Sequence, residues 1–224
     1  MPATAIRLSQ DTIDILKNFA TINNSLKFKA GSELRTINNT GSVAASAQIQ
    51  EVIPQDFAIY ELPKFLSVLN LPNMKDAELV FEDDKKVQIR SEKSVINYFF
   101  TEQTFVTHPD KVLNLPSVEL NVELSDSVLD SFRRAASALG HTLMTLRVVD
   151  NNAFIIATTP NNDTSNDYSD DLGTVQADNA EYNLKVQNVN LIPGDYQLEI
   201  SAAGVTKFQH KTRDIVYFIG LEKQ

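Results

Sequence analysis

The chain has 224 residues, 42% hydrophobic and 22% charged, with a formal net charge of −9 and no cysteine. That length suits one large domain or two of roughly 100–110 residues, with enough apolar content for a real core and none of the bias of a disordered tail. The composition excludes disulfides and thiolate metal sites, fits a reducing compartment, and argues against wrapping of nucleic acid by a uniformly basic surface. No run approaches the roughly 18 apolar residues of a membrane span, and no signal-peptide pattern opens the sequence, so a cytosolic protein is expected.

In chain order, most of the first half reads as short strands. Period-two alternation or β-branched and aromatic enrichment marks Ile6–Leu8, Leu26–Lys29, Leu34–Asn38, Val43–Glu51 and Phe57–Tyr60. Glu78–Glu82, Val87–Arg90 and Ser94–Phe100 follow. Two helical windows interrupt them. Residues 10–22 carry Ile13, Leu16, Phe19 and Ala20 at helical spacing behind Ser9, a good N-cap. Residues 62–70 form a shorter window, with Pro63 in the first turn, where proline is tolerated.

The second half repeats the plan. Leu8, Ser9, Ile13 and Leu16 match Leu124, Ser125, Leu129 and Phe132 at an offset of 116. Lys17 matches Arg133, and Ala20 matches Ala136. Further on, "DAELVF" from Asp76 resembles "DYQLEI" from Asp195 at an offset of 119, where Ile89 meets Phe208, Ile96 meets Ile215, and Tyr98–Phe99 meets Tyr217–Phe218. Order, spacing and residue type agree together, which points to a structural repeat. Two similar domains are expected, 1–104 and 119–224, joined by an extended connector at 105–118. The polar run 161–171 reads as a solvated loop.

Each helix presents a polar face. In the first, Asp14, Lys17, Asn18 and Thr21 share one side; in the third, near 126–139, Asp130, Arg133, Arg134 and Ser137 do so. The second helix offers Lys64 and Ser67 opposite Leu62, Phe65, Leu66 and Leu69. A fourth helical window at Lys185–Leu191 would point Lys185 and Asn188 outward, although its apolar pattern is thin. Cations late in a helix also complement its dipole. Their recurrence between repeats, with acids concentrated at 76–84 and 163–171, is the pattern of faces that meet a polyanion.

Catalytic constellations are missing from the sequence. The three histidines have no metal spacing, the seven glycines form no phosphate loop, and no nucleophile elbow occurs. Neither enzyme activity nor a metal or cofactor is expected. A β-rich structural or assembly protein of a virion or complex, with no DNA function, is the alternative, although such a protein has no need of matching cationic faces.

The stretches "LSQDTIDILKNFATIN" (8–23), "DFAIYELPKFLSVLNL" (56–71) and "LIPGDYQLEI" (191–200) resemble the sliding clamps, the DNA polymerase processivity factors of T-even-type tailed bacteriophages. The resemblance spans nearly the whole chain and is strongest in the first 75 residues. It implies an α+β DNA clamp fold, with two similar domains per protomer, each with two helices packed on antiparallel β-sheet. Three protomers would close into a ring around duplex DNA, tether the replicative polymerase, and be loaded by an ATP-driven clamp loader in the infected bacterial host's cytoplasm. Late transcription would be a further role. Carried over residue by residue, the resemblance and the repeat assign Lys17, Asn18, Thr21, Lys64, Ser67, Arg133, Arg134, Ser137, Lys185 and Asn188 to the DNA-facing wall. Ring clamps take a partner's apolar peptide near the connector, which singles out Val106, Leu113, Leu115, Tyr217 and Phe218.

Overall fold

Alternation of buried and exposed side chains builds two compact units, Met1–Lys111 and Val112–Gln224, in the computed structural model, which describes residues 4–159 and 165–222. The first unit runs β1 (Thr4–Ile6), α1 (Gln10–Ile22), β2 (Leu26–Phe28), β3 (Gly31–Ile37), β4 (Val43–Ile53), β5 (Phe57–Ile59), α2 (Leu62–Leu69), β6 (Glu78–Phe81), β7 (Lys86–Arg90) and β8 (Val95–Phe99). The second runs β9 (Leu120–Leu124), α3 (Asp126–Leu139), β10 (Leu143–Val149), β11 (Asn152–Thr158), β12 (Tyr168–Thr174), β13 (Ala180–Lys185), β14 (Tyr196–Ser201), β15 (Val205–His210) and β16 (Ile215–Gly220).

The two units share one topology. In the first, antiparallel strands lie in the order β1-β6-β7-β8; in the second, β9-β14-β15-β16 takes the same order. Ladder partners repeat too: Leu79 lies opposite Ile89, and Leu198 opposite Phe208, each 119 residues on. The remaining strands also correspond, with β2 on β5 and β3 on β4 in the first unit, and β10 on β13 and β11 on β12 in the second.

The last hairpin departs from the repeat. Ile89 lies opposite Ile96, but Phe208 lies opposite Tyr217, two residues beyond the matching position. The cause is His210, whose counterpart is the small Ser91. Its Nδ1 accepts from the backbone N–H groups of Thr212 and Arg213 at 3.1 and 3.2 Å, and its ring packs edge-on against Tyr196 at 5.0 Å. These bonds hold open a wider loop. A two-residue shift keeps every side chain on its original face, so the core survives.

Capping explains where the helices begin. Ser9 and Ser125 stand in extended backbone, and their hydroxyls accept from Thr12 N–H at 3.2 Å and Val128 N–H at 3.3 Å. α3 ends at Gly140, φ +70°, whose N–H and that of His141 return to the last turn; a left-handed residue there suits glycine. The apolar stripe of α1 is Ile15, Leu16 and Phe19 with Thr12, leaving Ile13 and Ala20 half-buried. On α3 it is Leu129, Phe132 and Ala136, while Leu139 in the final turn is 42% exposed. α2 buries Leu62, Phe65 and Leu66; Phe65 meets Tyr98 edge-on at 5.1 Å.

Two expectations are overturned. The fourth helix is only a single 3-10 turn, Val186–Asn188, after β13, so the second unit has one α-helix among its described residues. Two valines and two asparagines in five residues are poor helix formers. The supposed loop at 161–171 includes half of the outer strand β12; residues 161–164 lie outside the described residues. Its polar composition hid a strand that pairs with β11 along one side only.

Candidate nucleic-acid interface

The helix faces carry the candidate residues. α1 and α2 pack together in the first unit. On α1, Lys17 is exposed and lies 3.4 Å from Asp14, one turn back. Thr21 is exposed and Asn18 half-buried, the Thr21 hydroxyl donating to Asn18 carbonyl oxygen at 2.7 Å. On α2, Lys64 pairs with Glu61 at 2.7 Å, and the Ser67 hydroxyl donates to Pro63 carbonyl oxygen at 2.8 Å. Glu61 raises the Lys64 ammonium above its ordinary value through that hydrogen bond and its charge.

On α3 the two arginines separate. Arg134 is exposed, its Nε 2.7 Å from the Asp130 carboxylate. That hydrogen bond raises its guanidinium above the usual arginine value. Arg133 is half-buried, and its guanidinium donates to the carbonyls of Val189 and Leu191 at 3.4 and 3.3 Å. It fastens α3 to the segment after the 3-10 turn. Ser137 is exposed on the same helix. Lys185 ends β13 and pairs with Glu222 at 3.0 Å; Asn188 is half-buried in the turn.

Electrostatically, the result is a set of zwitterionic faces. Asp14–Lys17, Glu61–Lys64 and Asp130–Arg134 each place a carboxylate within one helical turn of the exposed cation. Such exposed pairs are worth little to stability, and each leaves its cation able to exchange partners with a passing anion. The arrangement supports weak, sequence-blind contact with phosphate rather than tight binding.

The residues singled out for a partner peptide do not share one environment. Leu113 is exposed and Leu115 half-buried, whereas Val106, Tyr217 and Phe218 are buried. Tyr217 lies in the core of the second unit, its hydroxyl accepting from Ile192 N–H at 3.3 Å; burial pushes it up to about 12. Among the described residues no cluster of three or more His, Asp or Glu could hold a metal ion, and no helix is long and apolar enough to cross a membrane.

Sequence reasoning missed one feature of the first unit. Two adjoining grooves, of about 380 and 720 Å³, share Arg7, Lys75 and Asp76 in their walls. These residues belong to no helix, so helical spacing gave no sign of them.

The family model for the DNA polymerase processivity factor matches residues 9–104. The sliding clamp of Enterobacteria phage T4 is 30% identical over 224 residues, spanning 97% of this chain and 97% of that protein. The chain belongs to the sliding clamp family. The sliding clamp of Vibrio phage KVP40 is 29% identical over 97% of this chain and 99% of its own length. Membership makes the chain a processivity factor of phage DNA replication. Among solved structures, PCNA from Thermococcus kodakaraensis superposes with a TM-score of 0.71 at 11% identity, covering 97% of this chain and 99% of that one. A Helicobacter pylori beta clamp gives 0.69 at 12% identity, covering 99% and 63% respectively. These distant likenesses confirm the clamp fold.

Proposed function

We propose that three copies of this chain close head to tail into a ring around duplex DNA and hold the replicative polymerase to its template. The observation that carries this is the repeated unit with an exposed, zwitterionic helix face, found in a member of the sliding clamp family. Lys17, Asn18, Thr21, Lys64, Ser67, Arg134 and Ser137 form the DNA-facing wall, with Lys185 and Asn188 at its margin. Arg133 serves that wall by holding α3 in place. The chain does no chemistry of its own. An ATP-driven clamp loader opens and loads the ring in the cytoplasm of the infected bacterium, and the loaded ring also supports late transcription. A partner's apolar peptide docks near the connector, where Leu113 is exposed and Leu115 half-buried; Val106, Tyr217 and Phe218, the other residues assigned to it, are buried.

Ring closure has a physical candidate in the outer strands. β8 ends its sheet with Val95 and Phe99 exposed at 52% and 68%, and Lys86 stands over the Phe99 ring at 6.0 Å. Phe218, which matches Phe99 in the repeat, is buried. β12 ends its own sheet and carries Asp170 and Asp171. An open strand edge with exposed apolar side chains calls for a partner, and an apolar edge with Lys86 beside it, meeting one that carries two aspartates, favours heterologous pairing, β8 of one copy against β12 of the next.

Retention on DNA tests the function. Loaded protein should stay on nicked circular DNA and run off once that DNA is linearised. Equal retention on both forms would exclude encirclement.

A further inference from the structure

The exposed cations of the helix faces are committed to neighbouring carboxylates; around the two grooves of the first unit Lys17, Arg7 and Arg90 are also paired, with Asp14, Glu78 and Glu82, but two further cations are not. Lys75 and Lys93 are exposed and make no ion pair or side-chain hydrogen bond among the described residues. Arg7 touches Glu78 only loosely, at 3.6 Å, with both side chains about half exposed. The smaller groove begins on α1, where Gln10, Ile13 and Lys17 form one wall, and reaches Arg7 and Lys75. The larger one continues from Arg7 and Lys75 to Arg90, Lys93 and the polar side chains of Asn73, Ser91 and Ser94. Together the linings hold five cations, Arg7, Lys17, Lys75, Arg90 and Lys93, against three carboxylates, Asp76, Glu78 and Glu92. Asp14 and Glu82, just outside the linings, pair with Lys17 and Arg90, so the strip is locally neutral in a chain of net charge −9.

We propose that this strip is a second track for the phosphate backbone of duplex DNA, continuing from the α1 face onto the loops at 70–77 and 91–94. The inference rests on the DNA-encircling reading and extends its contact surface beyond the helices. Three features favour DNA phosphate over an acidic peptide. The strip is continuous with a helix face of matching character. Its free lysines can accept a phosphate without first releasing a carboxylate. Hydroxyl and amide groups, rather than a deep apolar floor, line its larger part. Asp76, Glu78 and Glu92 keep the contact weak, as a strip past which DNA must slide requires.

The test is the salt dependence of binding. A labelled 30-base-pair duplex is titrated with wild-type protein and with Lys75→Gln/Lys93→Gln, and the affinity is followed against salt concentration. Each lost phosphate contact lowers the log–log slope by about 0.9, so the double variant should show a slope smaller by about 1.8. Lys85→Gln/Lys111→Gln, which removes two other exposed lysines lacking ion pairs, should leave it unchanged. Assembly mass is measured alongside to show that the ring is intact. An unchanged slope in the Lys75/Lys93 variant overturns the track, as does selective loss of poly-glutamate binding with duplex binding preserved. Failure of wild-type protein to be retained on circular DNA would instead sink the encircling reading, whatever the slopes show.

Discussion

Arg133 and Arg134 are consecutive, yet their guanidiniums serve different ends. One residue of α-helix turns the side-chain direction by about 100°, so the two leave the polar half of α3 on different flanks. Arg134 reaches outward to Asp130, and Arg133 turns toward the carbonyls of Val189 and Leu191. Arg133→Ala should therefore cost about 1–2 kcal/mol in urea unfolding, because two carbonyls lose a charged donor. Arg134→Ala should leave the urea midpoint essentially unchanged, since an exposed pair contributes little. Equal effects would mean that the 3.3–3.4 Å bonds carry no weight. Helical spacing correctly placed both residues on the polar half of α3. It could not tell which one meets a segment 56 residues away, because that depends on where the chain returns.

The same limit recurs in whole elements. α1 and α3 were legible because a serine cap and apolar periodicity agreed over two turns or more, and α2 because its apolar periodicity followed a proline in the first turn. β12 was not, because an outer strand with polar groups on both faces has the composition of a loop. The fourth helix failed because Val186, Asn188, Val189 and Asn190 favour other backbone states. A contact invisible to spacing also secures the start of α1. Glu51 on β4 accepts hydrogen bonds from the Thr12 hydroxyl and from Ser9 N–H, so a strand caps a helix from 39 residues away. Burial alone would raise the Glu51 carboxyl, but these donors hold it below the usual glutamate range. A depressed carboxylate adds stability that is complete above its unfolded value, about 4.3, and that disappears as pH falls through the lower folded value. Glu51→Gln should then lower stability by about 1–2 kcal/mol at pH 7. The gap between wild type and variant should close as pH falls below about 4, measured by urea midpoints. A gap independent of pH would assign the loss to shape rather than charge.

At the scale of the whole molecule, the duplication was read directly from the sequence, since Ser9 and Ser125, Leu79 and Leu198, and Ile89 and Phe208 keep order and spacing, whereas Tyr98 and Tyr217 match in spacing but not in the ladder. What the sequence could not show was which strand edges remain open, since an edge is defined by the absence of a neighbour. If β8 closes the ring, Phe99→Glu should weaken self-association at least tenfold, as burying an unpaired carboxylate at an interface requires. Sedimentation at micromolar concentration should show protomers where wild type gives trimers, with an unchanged circular dichroism spectrum. Trimers of undiminished stability would move the interface elsewhere. The slipped hairpin of the second unit has a consequence for how such duplicated chains diverge. Its ladder shifted by two residues around His210 without turning any side chain inside out. Strand pairing is thus quantised: even steps are silent to the core, and odd steps exchange core for surface. Copies of one ancestral unit can drift along their ladders in pairs of residues, trading loop for strand, while the layer that holds the helices stays fixed.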